Sequence, residues 1–135
     1  MIGINNVTII GNVGIISDVL KTNSGNKFLN LMIATTESYY SSSKEKKTNT
    51  QWHNVILWNN MAELKSVFSK GDLVYVEGRI NYRKKSTNEI FTEIVAKNIR
   101  VLSKKNHYNS SETKIDYVDI PQLDDFDENW NLKNE

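Results

Sequence analysis

Two indoles six positions apart, Trp52 and Trp58, bracket Gln51-Trp52-His53-Asn54-Val55-Ile56-Leu57-Trp58, a run with no glycine or proline in it. As a strand, with a side-chain period of two, it sets Trp52, Asn54, Ile56 and Trp58 on one face and His53, Val55 and Leu57 on the other. If the second set faces a core, two of the chain's three tryptophans look outward. Indoles there suit a flat ligand better than water. Tyr39, Tyr40 and Tyr82 also lie on or beside strands, interleaved with Lys44, Lys46, Lys47, Arg79, Arg83, Lys84 and Lys85. Rings on which bases stack, among cations that follow phosphates, are what a single-stranded nucleic acid requires of a protein. Each stacked base is worth roughly 1–3 kcal/mol, largely regardless of its identity. The pattern predicts a nucleic-acid-binding set of Tyr39, Trp52, Trp58 and Tyr82 for stacking, with Arg79, Arg83, Lys84, Lys85, Lys46 and Lys47 for phosphates. Plainer readings stand beside it: Trp58 as a core or edge residue, Lys44 to Lys47 as a solvated loop, and His53 as packed or at a subunit contact. Tyr75 shares parity with Leu73 and is expected in the core.

The net charge of +1 conceals a split. Residues 1–111 carry 15 basic against 8 acidic side chains, and residues 112–135 carry 2 against 8. A basic body with an acidic end suggests a polyanionic partner and an interaction tail. The chain has no cysteine, and its two histidines, His53 and His107, are isolated, so neither a disulfide nor a metal site is expected. No cofactor is expected either. The opening Met1-Ile2-Gly3-Ile4-Asn5-Asn6 has no charged start or long apolar run, which predicts neither export nor a membrane span and makes the cytoplasm the expected compartment. Phosphate-cradling loops, HExxH and a nucleophile elbow are all missing, and no catalytic residue is expected. Glu77 and Glu93, on strands where they could pair with Arg79 or Lys97, leave a metal-dependent nuclease as a distant reading.

The elements that must position these residues follow from periodicity and breakers. Val7 to Ile10 starts a strand that Gly11 and Gly14 should bend, with Asp18 to Leu20 as a possible continuation. A turn at Thr22 to Asn26 leads to a strand at Lys27 to Thr36. Glu37 to Asn49 reads as a long polar loop. Met61 to Phe68 has helical spacing, with Asn60 as N-cap, Glu63 completing a capping box and Gly71 as the stop. Leu73 to Tyr82 and Ile90 to Leu102 are strands, the second with a parity slip near Asn98. Three strands, a helix and two strands fit an all-β, five-stranded OB-fold barrel with one short helix. A small α+β sheet with one helix is the alternative.

Residues 5 to 102 resemble bacterial single-stranded DNA-binding proteins. The resemblance rests on Asn5 to Gly14, Ala34-Thr35-Thr36-Glu37-Ser38, Gln51 to Trp58, Ala62-Glu63, and Lys70-Gly71 with Val74 to Gly78, in that order and spacing. It implies an OB fold, commonly a homotetramer, that wraps single-stranded DNA without catalysis, and it places Tyr39, Trp52 and Trp58 where the family presents stacking aromatics. Lys85 stands where the family often has a further tryptophan, so that platform is lost or supplied by Tyr82 or Phe91. The family's acidic tail usually ends in a Pro-Phe tip, whereas Asp119-Ile120-Pro121 here is internal. The expected division is a DNA-binding domain over 1–103 and a disordered acidic tail over 104–135. Within the tail, Asp124, Asp125, Phe126, Asp127, Glu128 and Trp130 are the candidate docking segment for replication and repair proteins. The function expected is coating of single-stranded DNA in a bacterial cytoplasm, associated with the nucleoid; the alternative is an OB-fold scaffold that binds DNA poorly.

Overall fold

The computed structural model describes residues 2–105. Its first strand, β1 (Val7–Ile16), is rich in β-branched residues and changes partners part-way along. From Val7 to Asn12 it pairs antiparallel with β5 (Leu73–Lys84), and from Asn12 to Ile16 it pairs antiparallel with β3 (Lys27–Tyr40). The handover needs close backbone approach: a Cβ on Gly11 would strike the Ala34 carbonyl and the Ile33 side chain. The register then slips between Val13 and Ile15, so Gly14 is the extra residue of a bulge. Both glycines bend the strand as expected.

The pairings close a ring of five strands, β1-β5-β6-β4-β3 and back to β1. β4 is Lys46–Trp58 and β6 is Ile90–Ser103. The ring's parallel seam is the short β4–β6 contact, Val55 beside Ile94 and Ile56 beside Val95. A two-residue strand, β2 (Leu20–Lys21), pairs with the start of β3, where a continuation of β1 over Asp18 to Leu20 was expected. Inside the ring lie Ile9, Val13, Leu29, Leu31, Ile33, Val55, Leu57, Val74, Val76, Ile94, Ala96 and Ile99. A bulge at Lys97, between the pairs Glu77–Asn98 and Gly78–Ala96, produces the parity slip in β6.

A 3₁₀ helix, Asn59–Val67, bridges β4 and β5, and its Ala62, with Phe68 beyond it, adds to the core. Its start differs from the expected capping box. Trp58 occupies the cap position without a side-chain cap bond, Asn59 takes φ +52 and accepts the Lys27 amide through Oδ1 at 3.2 Å, and Glu63 pairs with Lys27 at 3.3 Å. The tighter helix is thus tied laterally to β3.

Three further expectations are corrected. Glu37 to Asn49 is mostly strand, because β3 runs on to Tyr40 and pairs out to Tyr40–Lys46. Its turn, Ser41 to Glu45, has the same two backbone bonds as the turns Thr22 to Asn26 and Lys85 to Glu89, and each places its fourth residue (Gly25, Lys44, Asn88) at positive φ. Gly and Asn advertise such a position and Lys does not. Tyr75 is outside the core: Val74 and Val76 point inward, while the Tyr75 hydroxyl donates to Glu77 Oε2 at 3.1 Å and is pushed above its ordinary pKa by that carboxylate. Glu93 pairs with Arg83 rather than with Arg79 or Lys97.

The end of β6 is fastened by a buried carboxylate. Asp72 accepts the amides of Ser69 at 2.9 Å and Lys105 at 3.1 Å and the ammonium of Lys104 at 2.8 Å. Burial alone would raise its pKa, but these donors outweigh burial and hold it below the ordinary carboxylate value. A depressed pKa stabilises the fold above the unfolded-state value of about 3.9, and that stabilisation is lost as pH falls through the folded value. Asp72→Asn should therefore cost about 1–3 kcal/mol at pH 7, with the two proteins converging only in strong acid. Thermal unfolding across pH checks this; equal melting temperatures at pH 7 would refute it.

Candidate nucleic-acid interface

The β3–β4 ladder sorts the aromatic stretch as its period demands. Ile33–His53, Leu31–Val55 and Leu29–Leu57 form one set of opposed pairs, and Val55, Leu57 and their partners are core. His53, half-buried, lies 2.8 Å through Nε2 from Thr35 Oγ1, and burial lowers its pKa. Ala34–Trp52, Met32–Asn54, Asn30–Ile56 and Phe28–Trp58 form the opposite, outer set. Across the parallel seam this face continues through Val95, opposite Arg79, to Glu93, opposite Asn81, and Phe91, opposite Arg83.

Each indole has a built seat. Trp52 lies against Gly14, where a Cβ would run into the indole ring, so the bulge glycine of β1 makes room for it. Trp58 packs on Phe28, with ring centroids 5.5 Å apart and planes tilted by 47°, and the Arg83 guanidinium stands 6.0 Å from its ring centre. Trp58, Arg79, Asn81, Tyr82, Arg83 and Val95 line a cleft of about 380 Å³. The face is not a plain hydrophobic surface: Trp52 Nε1, both amide atoms of Asn54 and Asn30 Oδ1 are buried there without a hydrogen-bond partner among the described residues. Unmatched buried polar atoms cost about 1–3 kcal/mol each, and they cluster beside the two indoles.

The cations divide by circumstance. Tyr39 sits opposite Lys47 and Tyr40 opposite Lys46 near the tip of the β3–β4 hairpin, all four exposed. On β5, Arg79 and Lys84 are exposed, and so is Tyr82, although it has the opposite parity to Arg79 and Arg83. Lys85 Nζ lies 5.4 Å from the centre of the Phe91 ring, so that ring's neighbour is the side chain that replaces the family's tryptophan. Arg83 is different: its side chain is 9% exposed and its Nε donates at 2.7 Å to Glu93 Oε1, a carboxylate with no exposed surface. Asn81 Nδ2 donates to the same oxygen at 2.7 Å. The structure thus gathers Trp58, Arg79, Tyr82 and Arg83 at one cleft, puts Trp52 farther along the same face, and carries Tyr39, Lys46, Lys47, Lys84 and Lys85 on two hairpins. Asp124, Asp125, Phe126, Asp127, Glu128 and Trp130 lie outside the described residues.

Residues 4–102 match the Single-strand binding protein family. The chain belongs to that family. Among relatives, it is 33% identical over 110 residues to single-stranded DNA-binding protein 1 of Chlorobaculum tepidum, covering 77% of this chain and 68% of that one. It is 31% identical over 144 aligned positions to a single-stranded DNA-binding protein of Rickettsia conorii, covering 90% and 95%. Its fold is similar to the Plasmodium falciparum SSB in a complex with ssDNA, with a TM-score of 0.66 and 27% identity over 76% of this chain and 98% of that one. Against the longer Thermus aquaticus protein, 75% of this chain covers 51% of that one, at a TM-score of 0.65.

For this member of the single-strand binding protein family, sequence reasoning found the indoles and missed their supports. Gly14 was legible as a bend but not as the seat of Trp52, and nothing in the local sequence tied Glu93 to Arg83. The Gly14 contact yields a test. Gly14→Ala forces the Trp52 ring to shift and should destabilise the fold by about 1–3 kcal/mol. In a Trp52→Ala background the same change should cost under about 0.5 kcal/mol. Denaturant titration of the four proteins measures the coupling, and additive effects would show that the two residues do not share this seat.

Proposed function

We propose that the chain binds and coats single-stranded DNA with little sequence preference, in replication, repair or recombination, and does so without catalysis. The observation that carries this reading is the outer face of β4, where two seated indoles adjoin a cleft edged by Arg79 and Arg83. Trp52, Trp58 and the exposed Tyr39 and Tyr82 are the stacking rings. Arg79, Lys84, Lys85, Lys46 and Lys47 follow the phosphates, and Arg83 completes the cleft wall. The Chlorobaculum and Rickettsia relatives are named for binding single-stranded DNA, and the Plasmodium protein is seen in complex with it. We take residues 1–103 as the binding domain and 104–135 as the tail, the assembly as a homotetramer, and the compartment as a bacterial cytoplasm at the nucleoid. Among the described residues no helix is long and apolar enough to cross a membrane. The tail residues Asp124 to Trp130 are the docking segment for replication and repair proteins in this reading.

Oligo-dT titration followed by tryptophan fluorescence tests the proposal. Strong quenching whose affinity falls steeply with salt is the expected result. Trp52→Ala and Trp58→Ala should each weaken binding by about 1–3 kcal/mol while leaving the barrel folded. Absence of quenching in the parent protein would favour the scaffold reading, and magnesium-dependent strand loss would favour a nuclease. Removing residues 112–135, eight of whose side chains are acidic and two basic, should tighten binding at low salt. Unchanged affinity would show that the tail does not compete for the basic body.

A further inference from the structure

The Arg83–Glu93 pair behaves unlike the other cations near the cleft. Arg79 and Lys84 are exposed, whereas Arg83 is nearly covered and is bonded to a carboxylate that is covered completely. The pair is held on several sides. Glu93 Oε1 accepts from both Arg83 Nε and Asn81 Nδ2 at 2.7 Å, and the guanidinium lies 6.0 Å from the Trp58 ring centre. Two of the cleft's lining residues, Asn81 and Arg83, therefore meet at one buried carboxylate, and a third, Trp58, lies beside the arginine. A charge pair removed from water is screened little, so the partner carboxylate cancels most of the field that Arg83 would project into the cleft. What remains of Arg83 is a flat, delocalised plane beside an indole, the form in which arginine stacks with rings.

Resting on single-strand binding as proposed above, we infer that Glu93 is a positioning residue that decides what the Trp58 cleft accepts: by holding and neutralising Arg83, it makes that arginine a wall for a stacked base instead of an anchor for a phosphate. The strand's phosphates are then held by the exposed cations, and the cleft takes a base. Glu93 touches no ligand itself and acts only through Arg83 and Asn81.

The number of phosphates neutralised is read from the salt dependence of binding, because each contributes about −0.7 to the slope of log affinity against log salt for a single strand. The full chain and its variants are titrated with oligo-dT over a series of NaCl concentrations, with thermal unfolding recorded for each. Glu93→Gln keeps the side chain's shape and removes its charge. It should steepen the slope by about 0.7 and tighten binding at low salt. The double variant R83Q/E93Q leaves neither charge buried alone, and its slope should equal that of the parent. Arg79→Gln should make the slope shallower by about 0.7. Asp18→Asn, which releases Lys65 from a 2.8 Å pair among residues that do not line the cleft, controls for net charge and should leave the slope unchanged. A double variant whose slope is shallower than the parent's overturns the inference, because Arg83 would then already anchor a phosphate. An unchanged slope in a folded Glu93→Gln protein overturns it as well. Failure of the parent to bind oligo-dT at any salt would overturn the single-strand reading together with this one.

Discussion

Everything in this barrel depends on one strand serving two neighbours. β1 leaves β5 and joins β3 at Asn12, and that handover turns a sheet into a closed ring. A straight strand cannot do this. The chain meets the constraint with Gly11, whose missing side chain lets β1 press against the Ala34 carbonyl, and with the bulge at Gly14. Closure also removes most of the free strand edges that an open sheet would leave for aggregation. The seam on the far side is short, two residue pairs between β4 and β6, so it relies on β1 to bring the ring round.

The same bend prepares the outer surface. Because β1 bulges at Gly14, the Trp52 indole can lie close to its backbone, and the neighbouring polar atoms of Asn54 and Asn30 are drawn out of water. At the other end of β4, Trp58 is fixed by Phe28 on one strand and Arg83 on another. Rigid rings lose little conformational freedom when a flat ligand arrives, so the seats increase the binding free energy that each ring can return. The surface is therefore a product of closure, because its parts come from strands that only the ring brings together.

Much of this was legible in the sequence, for physical reasons that differ by element. Val55 and Leu57 against Trp52 and Trp58 is a pure period-two pattern, and it sorted the two faces of β4 correctly. Gly11 and Gly14 marked the bend because few other roles suit two glycines in an apolar strand. Parity misled at Tyr75, whose inward-facing neighbours are Val74 and Val76 and whose hydroxyl found Glu77 instead. The strand ends at Tyr39-Tyr40 and Lys46-Lys47 were hidden because the turn between them puts Lys44, rather than glycine or asparagine, at positive φ. The bond from Arg83 to Glu93 spans a hairpin and depends on which faces of β5 and β6 coincide, which no local composition records. Lys85 against Phe91 was hidden in the same way: the sequence showed a missing ring, and the fold shows the cation that covers the remaining one.

The Asp72 fastening also has a geometric consequence. Because Lys104 and Lys105 are tied to the residue just before β5, the end of β6 is held at the end of the barrel opposite the β5–β6 turn. β5 has 12 residues, so a strand rise of about 3.3 Å per residue puts the Lys84-Lys85 tip roughly 40 Å away. The anchor and the Lys84-Lys85 tip therefore stand at opposite ends of one hairpin, so that protonating Asp72 loosens one end without touching the cations at the other.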